Sequence, residues 1–401
     1  MFPPVSLAHI AMSVAPLTLV LASCSINPGV DSPSPTPTAT DPSDSGFTGF
    51  AIQERGTFAE PWASAFIPGT DMLFITEKGG TAKIVNTAMN TRTPINVTGL
   101  PNVDYGGQGG LGDVAFLPSE AGDTVNGRTI YLSCVEAGSG DTRGAVLGRG
   151  MLTCSSATAC AVNGLNVIWR QEPKVTGRGH FSHRIAFSPD ERYMFVASGE
   201  RQKMEPAQDL SNTLGTIVRL NLDGSAAAGN PFADRGGVSS QIWSYGHRNI
   251  LGLDFDDQGR LWEIEHGPKG GDELNLVQRG ANYGWPVRSN GVNYDGSNIP
   301  DHGADDGFTK PAISWTPVIA PGNMVFLDGQ MFEAWEGDVM ISGLKPENLV
   351  RVRIEGNNAR EVARYDMDNR IRSVIEGPDG ALWVLEDGES GRLLRLTPKS
   401  S

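Results

Sequence analysis

Pro378-Asp379-Gly380-Ala381-Leu382-Trp383-Val384-Leu385-Glu386 reads as a tight turn, an apolar run and an acid. The same shape returns at Asp257-Gln258-Gly259-Arg260-Leu261-Trp262-Glu263-Ile264-Glu265 and at Pro189-Asp190-Glu191-Arg192-Tyr193-Met194-Phe195-Val196-Ala197-Ser198-Gly199-Glu200. Asp71-Met72-Leu73-Phe74-Ile75-Thr76-Glu77 and Arg128-Thr129-Ile130-Tyr131-Leu132-Ser133 are shorter copies, and Asp338-Val339-Met340-Ile341-Ser342-Gly343 keeps the strand without the turn. The copies recur roughly every 40 to 80 residues, the range of propeller blades with insertions. Each run is too short to bury its own face, but sheets stacked radially bury one another. The repeat predicts an all-β chain, a six-bladed β-propeller of four-stranded antiparallel sheets. Arg392-Leu393-Leu394-Arg395-Leu396 is expected to share a blade with Phe50-Ala51-Ile52, hiding an open edge.

Glycine and proline, 50 and 26 of 401 residues, supply the many turns this fold needs, and 39% hydrophobic residues supply its core. The net charge of −14 argues against a nucleic-acid partner, because an acidic surface repels phosphate backbones. Residues 1–24 read as a lipoprotein signal peptide. A short apolar run ends in Leu21-Ala22-Ser23-Cys24, which looks like a bacterial lipobox with Cys24 as the lipidated residue. Ser25 follows, which points to an outer-membrane anchor facing the periplasm. Residues 25–46 are a Ser/Pro/Thr-rich tether, and 47–401 the six-bladed propeller domain. The spacing of Cys154 and Cys160 permits a small disulfide, and Cys134 sits in a strand as a buried small residue.

Four segments carry residues suited to chemistry. His180 and His183 lie in Gly177-Arg178-Gly179-His180-Phe181-Ser182-His183-Arg184, beside glycines at the start of a strand, where a histidine can act as a general base or simply be structural. If the segment is extended, the two histidines point to opposite faces, and the sequence does not choose between them. Arg370 and Arg372 would project to one side of a strand and repel unless an anion lies between them. With Lys345 and with Arg248 of Tyr245-Gly246-His247-Arg248-Asn249, they suit a small polyanionic ligand, or else are solvated surface charge. Glu265-His266-Gly267-Pro268-Lys269-Gly270-Gly271-Asp272-Glu273 offers carbonyls and carboxylates fit for Ca²⁺, or is an acidic turn. Asn282-Tyr283-Gly284-Trp285-Pro286 and Ser314-Trp315-Thr316-Pro317 place aromatics where they could stack on sugar rings or pack between blades.

These segments, with Ala207-Gln208-Asp209-Leu210, occur together and in this order in one family. From about residue 50 to 398 the chain resembles the bacterial PQQ-dependent aldose sugar dehydrogenases, relatives of soluble quinoprotein glucose dehydrogenase. The resemblance implies a six-bladed propeller and oxidation of an aldose C1 hydroxyl to a lactone, by hydride transfer to Ca²⁺-bound PQQ. It implies His180 as the base, with Arg184 following, and marks His183 as a departure, since relatives carry a small residue there. Gly107-Gln108-Gly109-Gly110-Leu111 matches the family's glutamine motif, which places Gln108 on PQQ. Arg248 and Asn249 match the pair that contacts the quinone, and Lys345, Arg370 and Arg372 the cations on its carboxylates. Gly267 and Pro268 match the carbonyls on the cofactor Ca²⁺. A second Ca²⁺ would use the region of Asp272, Glu273 and Tyr283. The electron acceptor is not implied. Two other readings use the same scaffold: a propeller sugar lactonase or other hydrolase, and a non-catalytic envelope binding platform.

Overall fold

The computed structural model describes residues 46–88, 93–156, 158–345 and 347–399. The expected signal peptide, Cys24 anchor and almost all of the tether lie outside the described residues. Among the described residues there are strands and short 3₁₀ turns but no α-helix.

The strand Leu382–Glu386 shows why the repeat folds as it does. All five of its residues are buried, and its two faces enter different cores. Leu382 and Val384 pack with Phe50, Leu327 and Met340. Trp383 and Leu385 pack with Phe58, Leu73 and Ile75. The strand Tyr193–Ser198 divides in the same way, Met194 and Val196 to one core and Phe195 and Ala197 to the next. Sheets covered on both faces carry continuous apolar runs instead of alternating ones. Each fully buried side chain of this size contributes about 1.5–3 kcal/mol. The turn before the strand is fixed by Asp379, whose Oδ1 accepts the Ala381 N–H at 3.2 Å. Gly380 there has φ +74°, and a Cβ would lie 2.6 Å from the Met331 nitrogen, so only glycine fits.

Four separate four-stranded antiparallel sheets form, together with an eight-stranded one. The larger sheet is two antiparallel four-stranded halves joined by a short parallel contact, Val97 with Cys160 and Thr98 with Ala161. The innermost strands make a closed circle: Pro61–Phe66 packs on Leu111–Phe116, then follow Ser182–Phe187, Ile250–Phe255, Pro321–Phe326 and Ile371–Glu376, which returns to Pro61–Phe66. The chain ends close the circle as the sequence predicts. Phe50–Phe58 pairs with Gly391–Pro398, Phe50 opposite Pro398 and Phe58 opposite Gly391.

Cys154 and Cys160 face each other across a hairpin and are disulfide-bonded. The closed loop is short, so the bridge should stabilise the fold by only about 2 kcal/mol. A reductant is expected to lower the melting temperature by a few degrees, and scanning calorimetry with and without it checks this. A collapse of the whole transition on reduction would show that the bridge does more than close its hairpin. Cys134 is buried, which pushes its thiol up to about 12 and leaves it inert as a nucleophile.

Candidate active site

The segment carrying the two histidines is not extended. His180, Ser182 and His183 have φ of +49°, +57° and +59°, so the expected face-by-face alternation does not apply. Both rings are buried. His183 stacks on Trp62 with ring centres 4.9 Å apart, and its Nδ1 meets the Ser133 hydroxyl at 2.8 Å. Gly112 leaves the room for this ring, since a Cβ there would lie 1.9 Å from His183 Cε1. Burial, with Arg184 next to it, pulls the His183 pKa down to about 3, so it stays neutral.

His180 is placed differently. Its Nδ1 bonds to Oε1 of Glu200, and its backbone N–H donates to Gln108 Oε1 at 2.7 Å. Glu200 is fully buried, and its Oε2 accepts the N–H groups of Lys203 and Met204 at 2.6 Å each. The carboxylate therefore fixes the tautomer that leaves Nε2 with a lone pair. Burial and the nearby Arg248 pull the His180 pKa below its ordinary value, while Glu200 works against them. Burial pushes Glu200 up, but the bonds from His180 and Met204 win and hold it ionised. The loop in front is clamped by Arg201, whose Nε, Nη1 and Nη2 donate to the carbonyls of Gly179, Arg143 and Gly177 at 2.9, 2.6 and 2.6 Å.

A cavity of about 440 Å³ is lined by Phe181, Ser182 and His183 of this segment and by Gln108, while His180 and Glu200 are not among its lining residues. Trp62 and His183 form one wall, and Gln108, Asn249, His266, Lys345, Arg370 and Arg372 also line it. The cations drawn from distant segments are thus gathered at one place. Lys78 joins them, paired with Glu60 at 3.0 Å. The anion between Arg370 and Arg372 is the protein's own Asp387: Arg370 Nε reaches Oδ2 at 2.9 Å, and Arg372 Nη2 reaches Oδ1 at 2.7 Å. Lys345 is exposed and makes no ion pair among the described residues.

Arg248 borders the glycine-rich acidic loop and is not among the residues lining this cavity, although its neighbour Asn249 is. The N–H groups of Arg248 and Asn249 both donate to Glu265 Oε2, at 2.5 and 3.1 Å. The guanidinium donates from Nη1 to the His266 carbonyl at 3.0 Å and lies over the Trp285 ring, while its buried Nε finds no partner among the described residues. Behind it, His247 sits 3.4 Å from Glu263 and 3.6 Å from Glu265. Burial alone would depress His247, but the two carboxylates raise it to about 9 and keep it an imidazolium brace.

The loop residues expected to hold metal separate into two roles. Asp272 takes the N–H groups of Gly267, Ile319 and Ala320 at 2.8, 2.9 and 2.6 Å, which aligns the Gly267-Pro268 backbone. Glu273 borders a small void of about 10 Å³ with Glu265, Gly267 and Tyr283, room for about one water-sized sphere. Burial and the charges of Glu265 and Glu263 push Glu273 well above the carboxylate range, which a bound cation would reverse. The Tyr283 hydroxyl is spent on Leu276 O and Gln278 N, so its carbonyl is the group left to meet a metal. Tyr283, Trp285 and Trp315 are buried at 2, 6 and 5% exposure, and packing, not sugar stacking, accounts for them. Gln208, of the motif Ala207-Gln208-Asp209-Leu210, exchanges two amide bonds with Asn282 at 3.0 and 2.7 Å and holds this platform.

The glucose/sorbosone dehydrogenase family model matches residues 58–395, most of the chain and all of the site segments. The chain belongs to this family. The dehydrogenase is 36% identical over 345 residues to the aldose sugar dehydrogenase YliI of Escherichia coli, covering 85% of this chain and 90% of that one. It is 25% identical to quinoprotein glucose dehydrogenase B of Acinetobacter calcoaceticus, over 80% of this chain and 82% of that one. The apo crystal structure of the soluble Escherichia coli aldose sugar dehydrogenase superposes with a TM-score of 0.80 at 35% identity, over 87% of this chain and all of that one. The PQQ-bound aldose sugar dehydrogenase of Streptomyces coelicolor gives 0.70 at 26%, over 87% and 98%. The fold is accordingly a β-propeller, and the protein is an oxidoreductase of the sugar dehydrogenase type.

Glu200, Asp387, Arg201 and Lys78 are site residues that sequence reasoning missed. Glu200 carried a signal, because it is the acid that closes one copy of the repeat. Glu265 is another such acid. Glu77 and Glu386 end their strands in the same way but take structural partners, Ala59 N and Arg392.

Proposed function

We propose that this dehydrogenase oxidises the C1 hydroxyl of aldose sugars to lactones with PQQ and Ca²⁺, on a six-bladed propeller anchored through Cys24 and facing the periplasm. The closed circle of innermost strands supports the blade number. The observation that carries the function is the cavity lined by Lys78, Lys345, Arg370 and Arg372, whose wall also holds Phe181, next to the buried His180, and Gln108, which accepts the His180 backbone N–H. A flat tricarboxylate fits that cation set, and 440 Å³ lies within the range of small-molecule sites.

When bound, PQQ would supply the hydride acceptor and Ca²⁺ a Lewis acid. Lys345 and the Arg370–Arg372 pair would hold its carboxylates, the arginines in an orientation set by Asp387. Gln108 and Asn249 line the same space and bind by their amides. Gly267 and Pro268 offer carbonyls to the metal, and Glu273 with the Tyr283 carbonyl would hold a second ion in the small void. His180 Nε2 takes the proton of the anomeric hydroxyl, and Glu200 stabilises the imidazolium that forms. Arg248, next to Asn249, would offer a fixed positive charge to the bound cofactor.

A hydrolase would need side-chain ligands around an open metal position. The lining of this cavity is cationic, which favours the dehydrogenase over the lactonase. Dye-linked oxidation of a panel of aldoses, before and after adding PQQ with Ca²⁺, tests the reading. Activity is expected only with both. Failure to bind PQQ would return the binding platform to the front.

A further inference from the structure

Tyr294 is 73% exposed, the most exposed large apolar side chain among the described residues. It stands at the tip of a built loop. Asn293 N donates to Ser297 O at 3.0 Å, and Asp295 Oδ1 accepts the N–H and hydroxyl of Ser297 at 2.8 and 2.7 Å. At the base of the loop, Val292 and Lys269 exchange two backbone bonds, at 2.9 and 3.2 Å, which ties the loop to the chain just after Gly267-Pro268. The tip leans on the site: the Tyr294 hydroxyl lies 3.3 Å from Arg248 Nη2, and the ring centre is 5.9 Å from the guanidinium carbon. The polar end of the ring is thus engaged while its face meets water. A tyrosine held in this way offers an apolar plane beside a charged group. An aldopyranose has the complementary surface, a patch of C–H groups rimmed by hydroxyls.

We propose that Tyr294 is the platform on which the sugar ring stacks at the mouth of the site, with the bond to Arg248 setting its angle. The proposal rests on the dehydrogenase function. It places substrate recognition on an exposed loop tip, where Trp285 and Trp315 are buried and cannot serve.

The test is steady-state oxidation of glucose, galactose and maltose by protein loaded with PQQ and Ca²⁺, for the parent, Y294F and Y294A. PQQ titration and saturation-transfer NMR of each sugar accompany it. Y294A is expected to raise KM about tenfold, with kcat within about threefold, and to lose saturation transfer to the sugar C–H groups. Y294F should restore KM to within about twofold of the parent, since it keeps the ring. PQQ affinity should match the parent in both. A parental KM in Y294A for all three sugars would overturn the platform and leave the dehydrogenase standing. Loss of PQQ binding in Y294A would overturn it too, by making Tyr294 a cofactor residue. A parent that neither oxidises nor binds any sugar would overturn the dehydrogenase reading itself, and the platform with it.

Discussion

Replacing His180 by alanine should lower kcat for aldose oxidation by about 10²- to 10⁴-fold and leave PQQ binding largely intact. The variant removes the imidazole that Glu200 holds by Nδ1, and leaves Lys345, Arg370 and Arg372 in place. Dye-linked turnover beside a PQQ titration separates the two effects. Glu200→Gln sharpens the test. The base must be neutral to work, so activity is lost as pH falls through the His180 pKa. Burial and Arg248 already hold that pKa below its usual value, and Glu200 opposes them. Removing the carboxylate charge should therefore move the acid limb of the pH profile further down and weaken the base. Near-parental turnover in His180→Ala would assign the proton transfer elsewhere, and an unmoved acid limb in Glu200→Gln would break the dyad.

The largest loss of stability is expected from Arg184→Ala. Arg184 is buried where the innermost strands meet. Its Nε donates to Leu251 O at 2.6 Å, Nη1 to Asp113 Oδ1 at 2.9 Å and Nη2 to Gly322 O at 2.7 Å. Its guanidinium lies 3.9 Å from the Trp62 ring centre. One side chain thus ties together strands of four different sheet units, including the Ser182–Phe187 strand that bears it. Without it, Asp113 stays buried with the N–H groups of Ile185, at 2.9 Å, and Val114 but without its countercharge, and the Leu251 and Gly322 carbonyls lose this donor. Breaking such a pair costs about 3–5 kcal/mol. For a folded part of this size that is a fall in melting temperature of about 4–7 °C. Arg184→Lys should recover only part, because an ammonium cannot reach three diverging acceptors. The double variant Arg184→Met with Asp113→Asn should lose less than Arg184→Ala, since no charge is left unpaired. A loss below about 1 kcal/mol in Arg184→Ala would mean that the pair is merely tolerated.

Local chemistry made much of this protein legible. The turn–apolar–acid repeat was readable because each strand is buried on both faces, and such strands must be apolar throughout, as Leu382–Glu386 is. The ring closure was readable because an unpaired edge at Phe50–Phe58 would be costly. The cation set was readable because Lys345, Arg370 and Arg372 stand out in an acidic chain. Other features depended on residues far apart in sequence. Asp387 lies beyond Arg372, and nothing local shows that it fills the gap between the arginines. The choice between His180 and His183 rested on left-handed backbone at three residues, which no strand pattern displays.

The sequence by itself determined the all-β architecture and the list of groups from which a site could be built, because strand burial and turn chemistry act over a few residues. Only the tertiary structure decided which of those groups act together. It set Glu200 behind His180, pressed His183 onto Trp62, buried Trp285 and Trp315, and left Tyr294 bare beside Arg248. Those outcomes depend on how strands from separate sheets converge at one end of a common axis, and on the burial that convergence imposes, which the order of residues along the chain does not record.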